Sequence, residues 1–139
     1  WMNNDPFIPD SYSYYFSKDK KRCTIVAIGD VDYKQSIQVM DEVVNRTEFS
    51  PEMLILVDMT KIDYHPSYQE FVNLSNYLKL RSKQLSNRIA LVCSHKMHIL
   101  AQLICIFMDK EKLQMKSFTL LKDAETWLNA KKEVKKLDH

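Results

Sequence analysis

The sequence predicts an α/β domain: a mixed five-stranded sheet, its first strand antiparallel and the rest mostly parallel, flanked by four helices in the order ββαβαβαβα. Three observations carry that expectation. Short apolar or β-branched runs at 23–28 (CTIVAI), 53–57 (MLILV) and 89–93 (IALVC) have the length and composition of buried strands. Longer segments with helical apolar spacing lie between them, as right-handed crossovers between parallel strands require. The chain has 139 residues, 45% of them hydrophobic, which suits one domain with a real core.

The elements follow in order. Residues 1–10 carry Pro6 and Pro9 and read as a flexible arm ahead of the domain at 11–130. Tyr12 to Phe16 is aromatic-rich and fits a short strand. A charged turn at 17–22 leads into the strand at 23–28, so these two should form an antiparallel hairpin. Gly29 ends that strand, and Asp30 or Asp32 can cap a helix. Ile37, Met40, Val43 and Val44, with Val39 beside them, mark the buried side of that helix. The run at 53–57 reads as a central strand covered on both faces, followed by a loop at 58–66. Ser67 with Glu70 three residues on is a capping box for a helix whose stripe is Tyr68, Phe71, Val72, Ser75 and Leu78. After the strand at 89–93, Ser94 can cap a helix to about Met108. A last strand is expected at 118–121. Asp123 would then cap a final helix with Ala124, Trp127 and Leu128 facing inward. The lysine-rich segment at 131–139 reads as a solvated tail.

Composition excludes several classes. A single glycine, Gly29, cannot build a phosphate-binding P-loop or a dinucleotide fingerprint. A formal net charge of +2 gives no electrostatic case for nucleic acid. No run of about 18 apolar residues is present, so no membrane span is expected. Cys23, Cys93 and Cys105 are odd in number, widely spaced and set in apolar runs, so they read as small hydrophobes in a reducing, cytoplasmic setting.

Several segments resemble one family. IVAIGDVDYKQSIQVMDEVV at 25–44 resembles its second strand, turn and first helix, and MLILVDMTKI at 53–62 resembles its strand ending in an aspartate and a small hydroxyl residue. RIALVC at 88–93 and SFTLLKDAETWL at 117–128 resemble its closing strands and helix. On these segments the chain is similar to the STAS-like family, of the SpoIIAA-like, anti-sigma-factor-antagonist type, whose fold relatives include CRAL-TRIO lipid-binding domains. The resemblance implies a regulatory binding role. It also implies a serine at the start of the second helix, where that family carries an Asp-Ser-Ser-Gly segment. Here the place holds His65, Pro66, Ser67 and Tyr68, so Ser67 matches as a hydroxyl at a helix start and the flanking residues depart.

The residues offer chemistry without a complete apparatus. Ligands in parallel α/β sheets favour the carboxyl ends of strands. That rule gathers Asp58, Thr60, Asp63, His65 and Ser67 after one strand, and Cys93, Ser94, His95 and His98 after the next. Ser67, His95 and Asp58 can be drawn as a hydrolase triad, but no nucleophile-elbow motif supports it, and Ser67 and Ser94 read better as helix caps. Ser67, Ser94, Asp58 and Thr60 remain candidates for a phospho-switch or anion site. His95 and His98, with His65 or Asp63, fall short of a metal set, so no metal or other cofactor is expected.

The helix at 96–108, KMHILAQLICIFM, is apolar on nearly every face. A peripheral helix of a small domain should show a polar face, so either this helix is sunk deeply beneath its neighbours or its outer face is expected to meet a subunit, a partner or an apolar ligand. The candidates are Met97, Leu100, Ile104, Phe107 and Met108. The expected function is a non-enzymatic binding and regulatory module acting by protein–protein contact, with a homodimer or a regulatory protein as partner. A carrier of a small apolar or lipid-like ligand is the alternative, and a small serine/histidine hydrolase stands third.

Overall fold

A computed structural model describes residues 12–62 and 66–131. The predicted arm at 1–10, the loop residues Asp63 and His65, and nearly all of the lysine-rich tail lie outside the described residues. Strand β1 is Tyr12–Phe16, β2 Arg22–Gly29, β3 Leu54–Ile62, β4 Ile89–Cys93 and β5 Met115–Phe118. Helix α1 is Tyr33–Val44, α2 Tyr68–Arg81, α3 His95–Asp109 and α4 Leu121–Asn129, with a 3-10 turn at Ser82–Gln84 after α2. The predicted element order holds.

The five strands lie side by side in chain order, β1-β2-β3-β4-β5. The first pair is antiparallel, with Tyr12 opposite Ala27 and Phe16 opposite Cys23, and the remaining pairs are parallel. When each parallel strand is added at the same edge, right-handed crossovers put every connecting helix on one face. The packing follows that rule. Val39 and Val43 of α1, Leu78 of α2, and Ala101 and Met108 of α3 share one core with Cys23, Ile25, Ile55, Leu91 and Cys93. Among the described residues only α4 covers the other face, where Ala124 and Leu128 meet Leu56, Ala90 and Val92. The three layers are therefore unequal.

Local signals explain most boundaries. Gly29 has φ of +81°, a backbone region that favours glycine, and it ends β2. Asp32 closes a capping box with Gln35, and Ser67 closes one with Glu70. Other expectations need correction. Strand β3 runs on through Asp58 and Thr60 to Ile62, because β2 continues beside it past an irregularity between Val26 and Ile28. The last strand lies at Met115–Phe118 and not at 118–121, since β5 pairs with β4 from Ile89–Met115 to Val92–Phe118. Asp123 stands in the first turn of α4 and leaves the cap to Leu120, which offers no side-chain hydrogen bond. Tyr68 is 81% exposed and leaves the inward stripe of α2, where Phe71 is buried.

Candidate binding surface

Helix α3 carries the main candidate surface. Its sequence packs apolar residues around the whole circumference, yet only one side can face the sheet. Met97 and Ile104 pack against the main core, Leu100 lines a cavity beneath the helix, and Met108 is buried. As an outward surface, the predicted set therefore needs correction, because these four side chains face the protein interior. Phe107 is the exception, 46% exposed and set edge-on against Phe71 of α2. The outer side belongs to Ile99, Leu103 and Ile106, which are 69%, 45% and 63% exposed. Their spacing, together with Phe107, makes one stripe. Sequence reasoning named the helix and missed these residues. The signal was available in Gln102, an exposed polar residue that marks the outer side. A groove between α2 and α3, lined by Tyr68, Phe71, Val72 and Phe107 with Lys79 and Lys110 at its rim, adjoins the stripe.

A second feature lies under the helices. A cavity of about 140 Å³ opens between the sheet and α1, α2 and α3, and a smaller space of about 70 Å³ adjoins it. Tyr12, Ser36, Met59, Leu74, Leu91 and Ile104 line both. Its polar feature is the Tyr12 hydroxyl, 2.6 Å from Ser36 Oγ. Burial pushes the Tyr12 phenol above its ordinary pKa, partly offset by that hydrogen bond. The phenol is therefore neutral and suits an uncharged environment.

Among the described residues, the polar candidates at the strand ends are engaged in local hydrogen bonds. Asp58 Oδ1 accepts hydrogen bonds from the Thr60 backbone N–H and hydroxyl at 3.0 and 2.7 Å. Ser67 Oγ accepts from the Glu70 N–H at 3.2 Å, and Ser94 Oγ from the Met97 N–H at 3.4 Å. Both serines thus stand as helix caps, and among the described residues no hydrogen bond joins either to a histidine. Nor do three potential metal ligands come together among the described residues. The serine–histidine pair that does form is a different one: His98 Nδ1 lies 2.5 Å from Ser117 Oγ. Ser117 is buried on β5, and none of the cavities described above is lined by this pair. A nucleophile needs a place for the reacting atom. This pair ties α3 to the sheet.

The cysteines are inert by environment. Burial pushes the thiols of Cys23, Cys93 and Cys105 up to about 12, 11 and 11, so none is a thiolate near neutrality.

Comparison with solved structures agrees with this architecture. An uncharacterized DUF3478-family protein with a SpoIIAA-like fold, from Shewanella loihica PV-4, superimposes with a TM-score of 0.57 at 19% identity. The match covers 84% of this chain and 91% of that one. This chain has a SpoIIAA-like fold. No protein-family model matches the sequence, and no curated protein matches it at a significant level. No helix among the described residues is long and apolar enough to cross a membrane.

Proposed function

We propose that this protein is a non-enzymatic binding module that works by protein–protein contact and associates with a second copy of itself. The outer stripe of α3 carries the reading. Ile99, Leu103, Ile106 and Phe107 place four large apolar side chains in water on one helix face, next to an aromatic groove. Scattered apolar residues are normal on a surface, but a contiguous stripe beside a groove marks a contact site. The SpoIIAA-like fold is in keeping with a regulatory role, and three protonated thiols are in keeping with a reducing, cytoplasmic setting. The serines that a hydrolase would need are engaged as caps or buried, which supports a non-enzymatic role.

Sedimentation velocity across the micromolar range tests the reading. A concentration-dependent shift to the dimer is expected, and Ile106→Glu should return the protein to monomer. A wild-type monomer throughout the range would reject self-association.

One observation favours a second reading, a carrier of a small apolar ligand. A cavity of about 140 Å³ is close to the roughly 150 Å³ that holds benzene in an engineered apolar core. Native mass spectrometry on protein purified without detergent separates the two. A monomer with a reproducible adduct mass supports the carrier, and a clean dimer supports the interaction module.

A further inference from the structure

The cavity beneath the helices is apolar except at one edge. Among the described residues that line it and the smaller space beside it, only Tyr12 and Ser36 carry a side-chain oxygen, and none carries a charge. Each of these two hydroxyls has one proton. The Ser36 proton goes to the Asp32 carbonyl oxygen at 3.1 Å, a group that can only accept. The 2.6 Å contact between Tyr12 and Ser36 is then a bond that the Tyr12 hydroxyl donates. Both protons are thus engaged within the protein. What Tyr12 Oη and Ser36 Oγ still offer is lone pairs. The side chains at this edge therefore accept hydrogen bonds and donate none.

We infer that the cavity holds a small neutral hydroxyl compound, an alcohol or a phenol, whose hydroxyl donates to the Tyr12–Ser36 pair. Its apolar body lies against Met59, Leu74, Leu91 and Ile104, which line both spaces. This rests on the carrier reading above and is independent of self-association. Size sets one limit. A cavity of about 140 Å³ suits a ring of roughly six carbons, as the comparison with benzene shows, and the adjoining space of about 70 Å³ leaves room for a short substituent. Charge sets a second. A buried ion needs an opposite charge or a full set of hydrogen bonds, and the lining side chains supply neither, so carboxylates and ammonium compounds are rejected. Hydrogen-bond polarity sets the third. A ketone, ether or ester brings only lone pairs to an edge that has only lone pairs, and its oxygen is left without a partner. An alcohol brings the missing proton. The bond between Tyr12 on β1 and Ser36 on α1 holds both oxygens in place before the ligand arrives, so little order is lost on binding.

Methionine methyl resonances read the site directly. Met40, Met59 and Met115 line the main cavity and Met97 the smaller space, whereas Met53 and Met108 line neither. Titration of methyl-labelled protein with cyclohexanol should shift the first group. Cyclohexanone has nearly the same shape and no proton to donate, and cyclohexylammonium has protons to donate and a charge. Cyclohexanol should bind about five-fold more tightly than cyclohexanone, the equivalent of one neutral hydrogen bond, and cyclohexylammonium should leave the cavity methyls in place. In Ser36→Ala the Tyr12 hydroxyl regains a free proton that either oxygen compound can accept, so the preference for cyclohexanol should fall away. Taking the ratio in both proteins cancels the difference in hydrophobicity between the two compounds. Cyclohexanone or cyclohexylammonium binding as tightly as cyclohexanol, or an unchanged ratio in Ser36→Ala, would overturn the hydroxyl assignment and leave the carrier reading standing. No shift of any cavity methyl with any of the three compounds would overturn both.

Discussion

Ile104 and Ile106 lie two residues apart on α3, on nearly opposite sides of a helix with about 3.6 residues per turn. Ile104 packs on the core and lines the cavity, whereas Ile106 is 63% exposed. Replacing each by glutamate should therefore give opposite results. Ile104→Glu removes an apolar contact worth about 1.5–3 kcal/mol and sets a carboxylate beside Leu74 and Leu91. Leaving that polar group unpaired costs about 1–3 kcal/mol more. Ile104 is only half-buried and the new side chain can turn toward water, so about 3–5 kcal/mol is the expected loss. That is a large part of the roughly 5–15 kcal/mol that holds a domain together. Ile106→Glu changes a solvated position and should shift monomer stability by no more than about 0.5 kcal/mol. Urea unfolding followed by far-ultraviolet circular dichroism, at dilution where both variants are monomeric, reads the difference. Equal losses, or a greater loss at Ile106, would mean that α3 is rotated about its axis and that the stripe described here is not the outer face.

Two further expectations concern the body of the fold. Burial of Cys23 and Cys93 and partial burial of Cys105 push their thiols up to about 12, 11 and 11, from an ordinary value of 9.0. Groups raised in this way contribute stability that is complete below the unfolded value and fades as pH climbs through the folded ones. Unfolding free energy should therefore fall from about pH 9 toward pH 11–12, and alkylation at pH 8 should be slow until urea unfolds the chain. Rapid native-state alkylation of Cys23 would refute its burial. The link between α1 and α2 is also testable. Asp41 Oδ1 accepts from the Tyr77 hydroxyl and from Arg81 Nη2, both at 2.6 Å. Asp41 is 42% exposed, so screening holds the expected cost of Asp41→Ala to about 1–2 kcal/mol in the same urea assay. A change under about 0.3 kcal/mol would show that the link contributes nothing net.

The sequence by itself determined the element order, the hairpin, the parallel sheet and the capping box at Ser67. These depend on local chemistry: β-branched runs at 23–28 and 89–93, one glycine at a left-handed turn, and a hydroxyl three residues ahead of a glutamate. It also pointed to α3 as the helix with too many apolar faces. What lay beyond it was orientation. A helix apolar all round gives no periodic signal for which side is inside, so Met97, Leu100, Ile104 and Met108 were as eligible for the surface as Ile99, Leu103 and Ile106. Strand ends were set by neighbours: β3 extends to Ile62 because β2 runs beside it, and β5 begins at Met115 because Ile89 lies opposite. The pairing of His98 with Ser117 and the cavity between the sheet and three helices join residues far apart in the chain. Only tertiary packing decides such features, because they are properties of the space between elements.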